Sequence, residues 1–171
     1  MDHPDLSTID VLAPNFKKRL SGVTATVVRL IPLQAREIAI AAVAPALPPH
    51  VPQVPMRALL TMSREGPSGA RVWHARRNSE MLAGILLKRV LGKRLKLLFT
   101  SASQRQHTRY SKWLIGQMDH IISTSRRTAE YLERPSDVIL HGIDLSGFAP
   151  APDRAELRAR MGLPAGPLIG C

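Results

Sequence analysis

Short apolar runs alternate with amphipathic stretches about six times along the chain, and this alternation constrains the fold more than any other feature. Residues 9–13 (IDVLA), 38–43 (IAIAAV), 70–74 (ARVWH), 95–100 (LKLLFT), 120–123 (HIIS) and 137–140 (DVIL) read as strands. Between them, residues 23–34, 78–90, 108–118 and 125–132 repeat apolar residues every three or four positions and read as helices. Val23, Val27, Leu30 and Ile31 share one face of the first; Met81, Leu82, Ile85, Leu86 and Val90 make the expected buried stripe of the second; Tyr110, Trp113, Leu114 and Gln117 lie roughly on one side of the third. Parallel strands need crossovers, so the alternation predicts an α/β fold: a Rossmann-like parallel sheet with helices on both faces. Punctuation agrees. Pro14-Asn15 ends the first strand, Pro32 should stop or kink the first helix, Gly92 should end the helix before it, and Ser125 is an N-cap. Residues 45–55 hold five prolines and read as a loop or polyproline segment. Residues 153–161 read as a short helix, and 168–171 as a strand cut short, which predicts a truncated chain.

Composition narrows the class. The 171 residues suffice for one domain, or one domain and the start of another. A 44% apolar share argues against global disorder. No apolar run approaches the roughly 18 residues of a membrane-spanning helix. Two acids, Asp2 and Asp5, precede any apolar run, unlike a secretory signal, and one cysteine excludes an intramolecular disulfide framework. A soluble, intracellular protein is expected. Its charge, 24 − 13 = +11, points to an anionic partner: nucleic acid, a membrane surface or a phosphorylated small molecule.

Four features are candidates for chemistry. Ser21-Gly22-Val23 lies between the first strand and the first helix, where glycine lets a phosphate approach helix N–H groups or merely makes a tight turn. The tract from Arg71 to Lys112 holds 11 Lys or Arg and one acid, Glu80. Within it Arg76-Arg77, and Arg105 with His107, follow predicted strands, on the side where an α/β site lies. Lys88 to Lys96 falls at the opposite edge and reads as a membrane-attracting or simply solvated basic face. His74, His107 and His141 suit proton transfer near neutral pH, or structural hydrogen bonds, and none has metal-ligand spacing. Finally, a strand runs into His141-Gly142-Ile143-Asp144, followed by Phe148 and Pro150, where Asp144 would cap a turn and Phe148 anchor the crossing segment.

The last motif resembles the "strand, Asn-Gly-Val-Asp, Phe-x-Pro" junction of retaining glycosyltransferases of family four, which have the GT-B fold. MDHIISTSRRTAEYL at 118–132 is similar to that family's "Ala-Asp-x-Ile-Ile-x-x-Ser" segment, VWHAR at 72–76 to its "Val-x-His-x-His" strand end, and GLPAGPLIGC at 162–171 to the start of its nucleotide-binding domain. APNFKKRLSGVT, VWHARRN and LLFTSASQRQHT look closer still to bacterial lipopolysaccharide core mannosyltransferases, which use GDP-mannose.

The resemblance implies an N-terminal, acceptor-side domain over residues 1–150, and a linker with the truncated start of the nucleotide-sugar domain over 151–171. It implies mannose transfer with retention to a Kdo-lipid A type acceptor at the cytoplasmic membrane face, with no metal or cofactor beyond the donor. Ser21, Gly22 and Val23 would then form the donor phosphate loop. His74, Arg76, Arg77, Arg105 and His107 would bind acceptor. The family's histidine after the next strand is absent from Phe99-Thr100-Ser101, so His107 is the candidate catalytic group. The partners implied are a sugar nucleotide, an anionic lipid-linked saccharide, a membrane surface and the missing second domain, not nucleic acid. The alternatives are a basic nucleic-acid-binding module and a non-catalytic half-enzyme that binds acceptor or partner only.

Overall fold

The computed structural model describes residues 4–17, 21–45, 47–142, 149–164 and 166–168. The apolar runs become strands β1 (Val11–Pro14), β2 (Ile40–Val43), β3 (Gln53–Val54), β4 (Arg71–Ala75), β5 (Leu95–Ser101), β6 (His120–Ser123) and β7 (Asp137–Val138). They form one sheet in the order β3-β2-β1-β4-β5-β6-β7, with every pairing parallel. The helices are α1 (Gly22–Gln34), α2 (Ala58–Thr61), α3 (Asn78–Arg89), α4 (Arg109–Ile115), α5 (Arg126–Leu132) and α6 (Arg154–Arg160). The chain divides into two units, Met1–Leu140, which holds the sheet, and His141–Cys171, which holds α6.

Alternation along each strand sends side chains to two cores. Leu12, Val43, Trp73, Leu97 and Phe99 pack with Met81 and Ile85 of α3 and Leu114 and Ile115 of α4. Ala13, Ile40 and Ala42 pack with Val27 and Ile31 of α1. Helices therefore cover both faces, as the alternation predicts. Trp73 is fully buried, and its indole N–H donates to the Glu80 carbonyl oxygen (2.8 Å). Gly84 passes directly over it; a Cβ there would overlap Trp73 Cδ1.

Three helices begin with one device. The hydroxyls of Ser21, Thr108 and Ser125 accept the N–H three residues on, from Thr24 (3.4 Å), Ser111 (3.2 Å) and Thr128 (3.1 Å). Each second hydroxyl is buried and meets the first at 3.0–3.2 Å. Beyond α3 the chain turns at Gly92 with φ +61°, the left-handed geometry expected of its stop.

Several expectations need correction. The proline-rich stretch contains β3; its residues pair with β2 alone, at the sheet edge where flanking prolines are tolerated. Helix α1 runs two residues past Pro32, and Ala35 N–H closes the last turn on the Ile31 carbonyl (2.8 Å). On α3 the sheet receives Glu80, Gly84 and Leu87, while Leu86 and Val90 are exposed, because two apolar stripes compete and only one meets β4 and β5. On α4 Ser111, Leu114 and Ile115 are buried, and Tyr110 and Trp113 stand outside, stacked on one another with ring centroids 6.3 Å apart. Arg71 belongs to no basic surface: its guanidinium is buried and donates to the carbonyls of Leu6 (3.1 Å), Ile9 (3.0 Å) and Ser63 (3.0 Å). The last strand of the sheet stops at Val138. Asp144, Phe148 and the strand start at 169–171 lie outside the described residues.

Candidate functional site

The strand order reverses between β1 and β4, the neighbours from which the sheet is wound in opposite directions. In an open parallel sheet, the crevice beyond the strand ends at such a reversal is where ligands bind. Asn15 leaves β1 there, and Arg76 and Arg77 leave β4.

Arg77 bridges the crevice. Its guanidinium donates to Asn15 Oδ1 (2.8 Å), Ser21 Oγ (2.8 Å) and Thr24 Oγ1 (3.2 Å) on the β1–α1 side, and to Glu80 Oε1 (3.0 Å) on its own helix. Glu80 is fully buried and also accepts the Arg76 backbone N–H at Oε2 (2.8 Å). Burial pushes the Glu80 carboxyl up, against the pull of the Arg76 N–H and the Arg77 guanidinium. This clamp fixes the N-terminal turn of α1 relative to that of α3. The terminal nitrogens of Arg77 are thus held by the protein itself.

Arg76 is placed differently. Its side chain reaches the His74 carbonyl oxygen at 3.4 Å and His74 Nδ1 at 3.5 Å, both beyond good hydrogen-bond length. Burial lowers its pKa to about 10, which Glu80 opposes and Arg77 reinforces, so it stays charged at neutral pH. His74 stands behind it, with Nε2 2.7 Å from Thr100 Oγ1. Burial first, then the neighbouring Arg76 charge, lower the His74 pKa to about 3. The ring is thus neutral, its Nδ1 turned to Arg76 and its Nε2 to Thr100.

Arg76 opens into a cleft of about 780 Å³, lined also by Val23 of α1, Asn78, Phe99, Ser101, the loop from Ala102 to His107, and Thr108 and Ser111 at the start of α4. Two lining atoms are buried without a hydrogen-bond partner among the described residues, Ser101 Oγ and His107 Nε2. Burial, followed by the charge of Lys112, lowers the His107 pKa, so its imidazole is neutral too. Arg105 is exposed on the same loop. The arrangement offers one desolvated cation, neutral imidazole and hydroxyl groups, and a helix start: chemistry that binds and orients an anionic, hydroxyl-bearing ligand.

The structure therefore brings Val23, Arg76, Arg105 and His107 to one cleft. Gly22 is exposed at the first position of α1, Ser21 caps that helix, His74 backs Arg76, and Arg77 points into the clamp. His141 is exposed in the second unit. Sequence reasoning missed Asn15, Glu80, Thr100 and Ser101. Glu80 carried a signal, as the one acid of the basic tract, three residues from Arg77. Among the described residues no three His, Cys, Asp or Glu side chains gather as metal ligands would.

No family model matches the chain. It is 51% identical over 170 residues to the lipopolysaccharide core biosynthesis mannosyltransferase LpcC of Rhizobium leguminosarum bv. viciae, covering 98% of this chain and 48% of that protein. It is 50% identical over 171 residues to the lipopolysaccharide core biosynthesis mannosyltransferase LpsB of Rhizobium meliloti (strain 1021), again covering 98% and 48%. Among solved structures it resembles Alr3699/HepE of Anabaena, crystallised with UDP and glucose, at a TM-score of 0.63 and 11% identity, over 90% of this chain and 50% of that one; that likeness is one of fold. The chain spans about half the length of the curated relatives it matches. With half of its positions identical along almost all of its length, this chain is a homologue of bacterial lipopolysaccharide core mannosyltransferases.

Proposed function

We propose that the chain is the acceptor-presenting part of a retaining glycosyltransferase, one that moves mannose from GDP-mannose to an anionic, Kdo-containing lipid-linked saccharide of the lipopolysaccharide inner core. The observation that carries this reading is Arg76: a half-buried, charged guanidinium with no short hydrogen bond among the described residues, facing a cleft whose lining includes two polar residues with an unpartnered atom. A partly desolvated cation held this way favours an incoming carboxylate or phosphate.

In this reading residues 1–150 form the acceptor-side domain and 151–171 begin the nucleotide-sugar domain. The Ser21-Gly22-Val23 turn meets the donor phosphates at the start of α1. Arg76, Arg105 and His107 face the acceptor, and His74 holds Arg76 in place. His107, whose imidazole is neutral and which lines the cleft, is the candidate to accept a proton from the acceptor hydroxyl. The rest of the work is orientation and stabilisation of the departing diphosphate, which needs cations and a helix start rather than a metal. A lipid-linked acceptor puts the protein at a membrane surface, on the cytoplasmic side where sugar nucleotides are found.

The test joins this chain to the part of LpcC that it does not match and supplies GDP-mannose with Kdo-lipid A. Mannose transfer is expected, and Arg76→Ala should raise KM for the acceptor more than KM for the donor. A chimera that folds yet transfers no sugar from any common sugar nucleotide overturns the reading. A larger effect of Arg76→Ala on the donor reverses the assignment of sides.

A further inference from the structure

We propose that Arg77 is a positioning residue: it sets the start of α1 against Arg76 and so arranges the cleft for an anionic ligand before the ligand arrives. Three helix starts border the cleft, which is lined by Val23 of α1, by Arg76 and Asn78 at the start of α3, and by Thr108 and Ser111 of α4. Two consecutive residues at the start of α3 tie the other two helices to it. Asn78 Nδ2 donates to Ser111 Oγ (2.8 Å) on the α4 side. Arg77 donates to Ser21 Oγ (2.8 Å) and Thr24 Oγ1 (3.2 Å) on the α1 side. Each tie ends on the paired hydroxyls with which that helix begins. The cap of α5, whose residues do not line the cleft, has no such tie among the described residues.

Bond lengths show which contact governs α1. Ser21 Oγ accepts the Thr24 N–H at 3.4 Å, longer than the matching bonds of α4 and α5 (3.2 and 3.1 Å), yet it accepts the Arg77 guanidinium at 2.8 Å. The turn is held more firmly across the crevice than by its own cap. Arg77 is in turn held from behind. Its other terminal nitrogen donates to Asn15 Oδ1 (2.8 Å) beyond β1 and to Glu80 Oε1 (3.0 Å). Asn15 and Glu80 are fully buried, and neither lines the cleft. Glu80 Oε2 accepts the Arg76 backbone N–H (2.8 Å), so one carboxylate fixes both Arg76 and the residue that fixes α1. A guanidinium is a rigid planar fork and meets all these acceptors together; a lysine ammonium would keep the charge beside Glu80 and lose the brace. Groups set in place in advance lose less freedom when the ligand binds. This role rests on the reading above, in which donor phosphates meet the start of α1. Its test needs neither sugar nor acceptor, and the transfer test leaves Arg77 unchanged, so the two fail separately.

The chain is titrated with inorganic pyrophosphate by calorimetry, and amide hydrogen exchange is followed at Thr24. Arg77→Lys and Asn15→Ala are each expected to speed exchange at Thr24 and to weaken pyrophosphate binding about tenfold, the worth of one well-aligned hydrogen bond. Asn15 is buried outside the cleft lining, so its effect separates positioning from contact with the ligand. The double variant should bind no worse than the weaker single variant, because both changes break one brace. Leu132→Ala, a truncation of a buried side chain on α5, should lower the thermal midpoint and leave the affinity unchanged. An effect of Arg77→Lys that Asn15→Ala does not share would make Arg77 a ligand contact and overturn the proposal. So would a loss of affinity in Leu132→Ala equal to that in Arg77→Lys, additive losses in the double variant, affinity or Thr24 exchange unchanged in both brace variants, or no binding of pyrophosphate to the parent chain.

Discussion

Arg76 and Arg77 adjoin in sequence and part in role. The Arg77 guanidinium is satisfied by Asn15, Ser21, Thr24 and Glu80, whereas that of Arg76 reaches only the edge of hydrogen-bond distance from His74. Nothing in the dipeptide distinguishes them; the side of β4 to which each backbone position turns does. Gly22 separates fold from function in another way. A Cβ there meets nothing within 4 Å, and its φ lies outside the left-handed region, so the fold does not require glycine. Gly22→Ala should leave the thermal midpoint unchanged or raise it, since alanine favours a helix over glycine by up to about 1 kcal/mol. If donor phosphates approach this turn, the same change should raise donor KM in the full-length chimera by about tenfold, the worth of one charge-assisted hydrogen bond. His74 makes a pH prediction. Its pKa falls from 6.5 to about 3 on folding, so the unfolded chain binds the extra proton between those values. The contribution is complete above pH 6.5 and is lost as pH falls toward 3, with a slope of about 1.4 kcal/mol per pH unit. Denaturant titrations of His74→Gln should show a correspondingly shallower acid limb.

At the scale of elements, Ser125 was legible as an N-cap, and the structure repeats its device at Ser21 and Thr108. Ser21-x-x-Thr24, Thr108-x-x-Ser111 and Ser125-x-x-Thr128 each begin a helix, because a hydroxyl at the cap satisfies an N–H that the helix cannot. Helix faces were less legible. Leu86 and Leu87 are equally apolar, and the sheet selects Leu87. The same contact explains Gly84, whose α-carbon sits against the Trp73 indole. Gly84→Ala should destabilise the chain by about 1–3 kcal/mol through overpacking. That is a fall in thermal midpoint of roughly 2–4 °C per kcal/mol, readable by near-ultraviolet circular dichroism of the buried Trp73. An unchanged midpoint would mean that α3 stands farther from β4 than described.

At the scale of the whole molecule, the charge of +11 works against compactness. The described ion pairs on the surface, such as Lys88–Asp119 and Lys112–Glu133, bind few of the cations. Screening should therefore stabilise the chain. As salt shortens the Debye length from about 30 Å to about 10 Å, the thermal midpoint should rise; a fall would mean that the exposed pairs outweigh the general repulsion.

By itself the sequence determined the class of fold, since alternating runs such as IDVLA and the helix after Ser21 bury their apolar residues only in a parallel sheet with crossovers. It also marked the ends of β1 and β4 as the places for a site. Tertiary structure alone decided which residues share the cleft. Asn15, Glu80 and Arg77 are joined across the sheet, and among the described residues Ser101 Oγ and His107 Nε2 lack a hydrogen-bond partner in the cleft that Arg76 also lines. Those outcomes depend on which strand lies beside which and on what is left to satisfy each buried polar group, and neither is carried by local pattern.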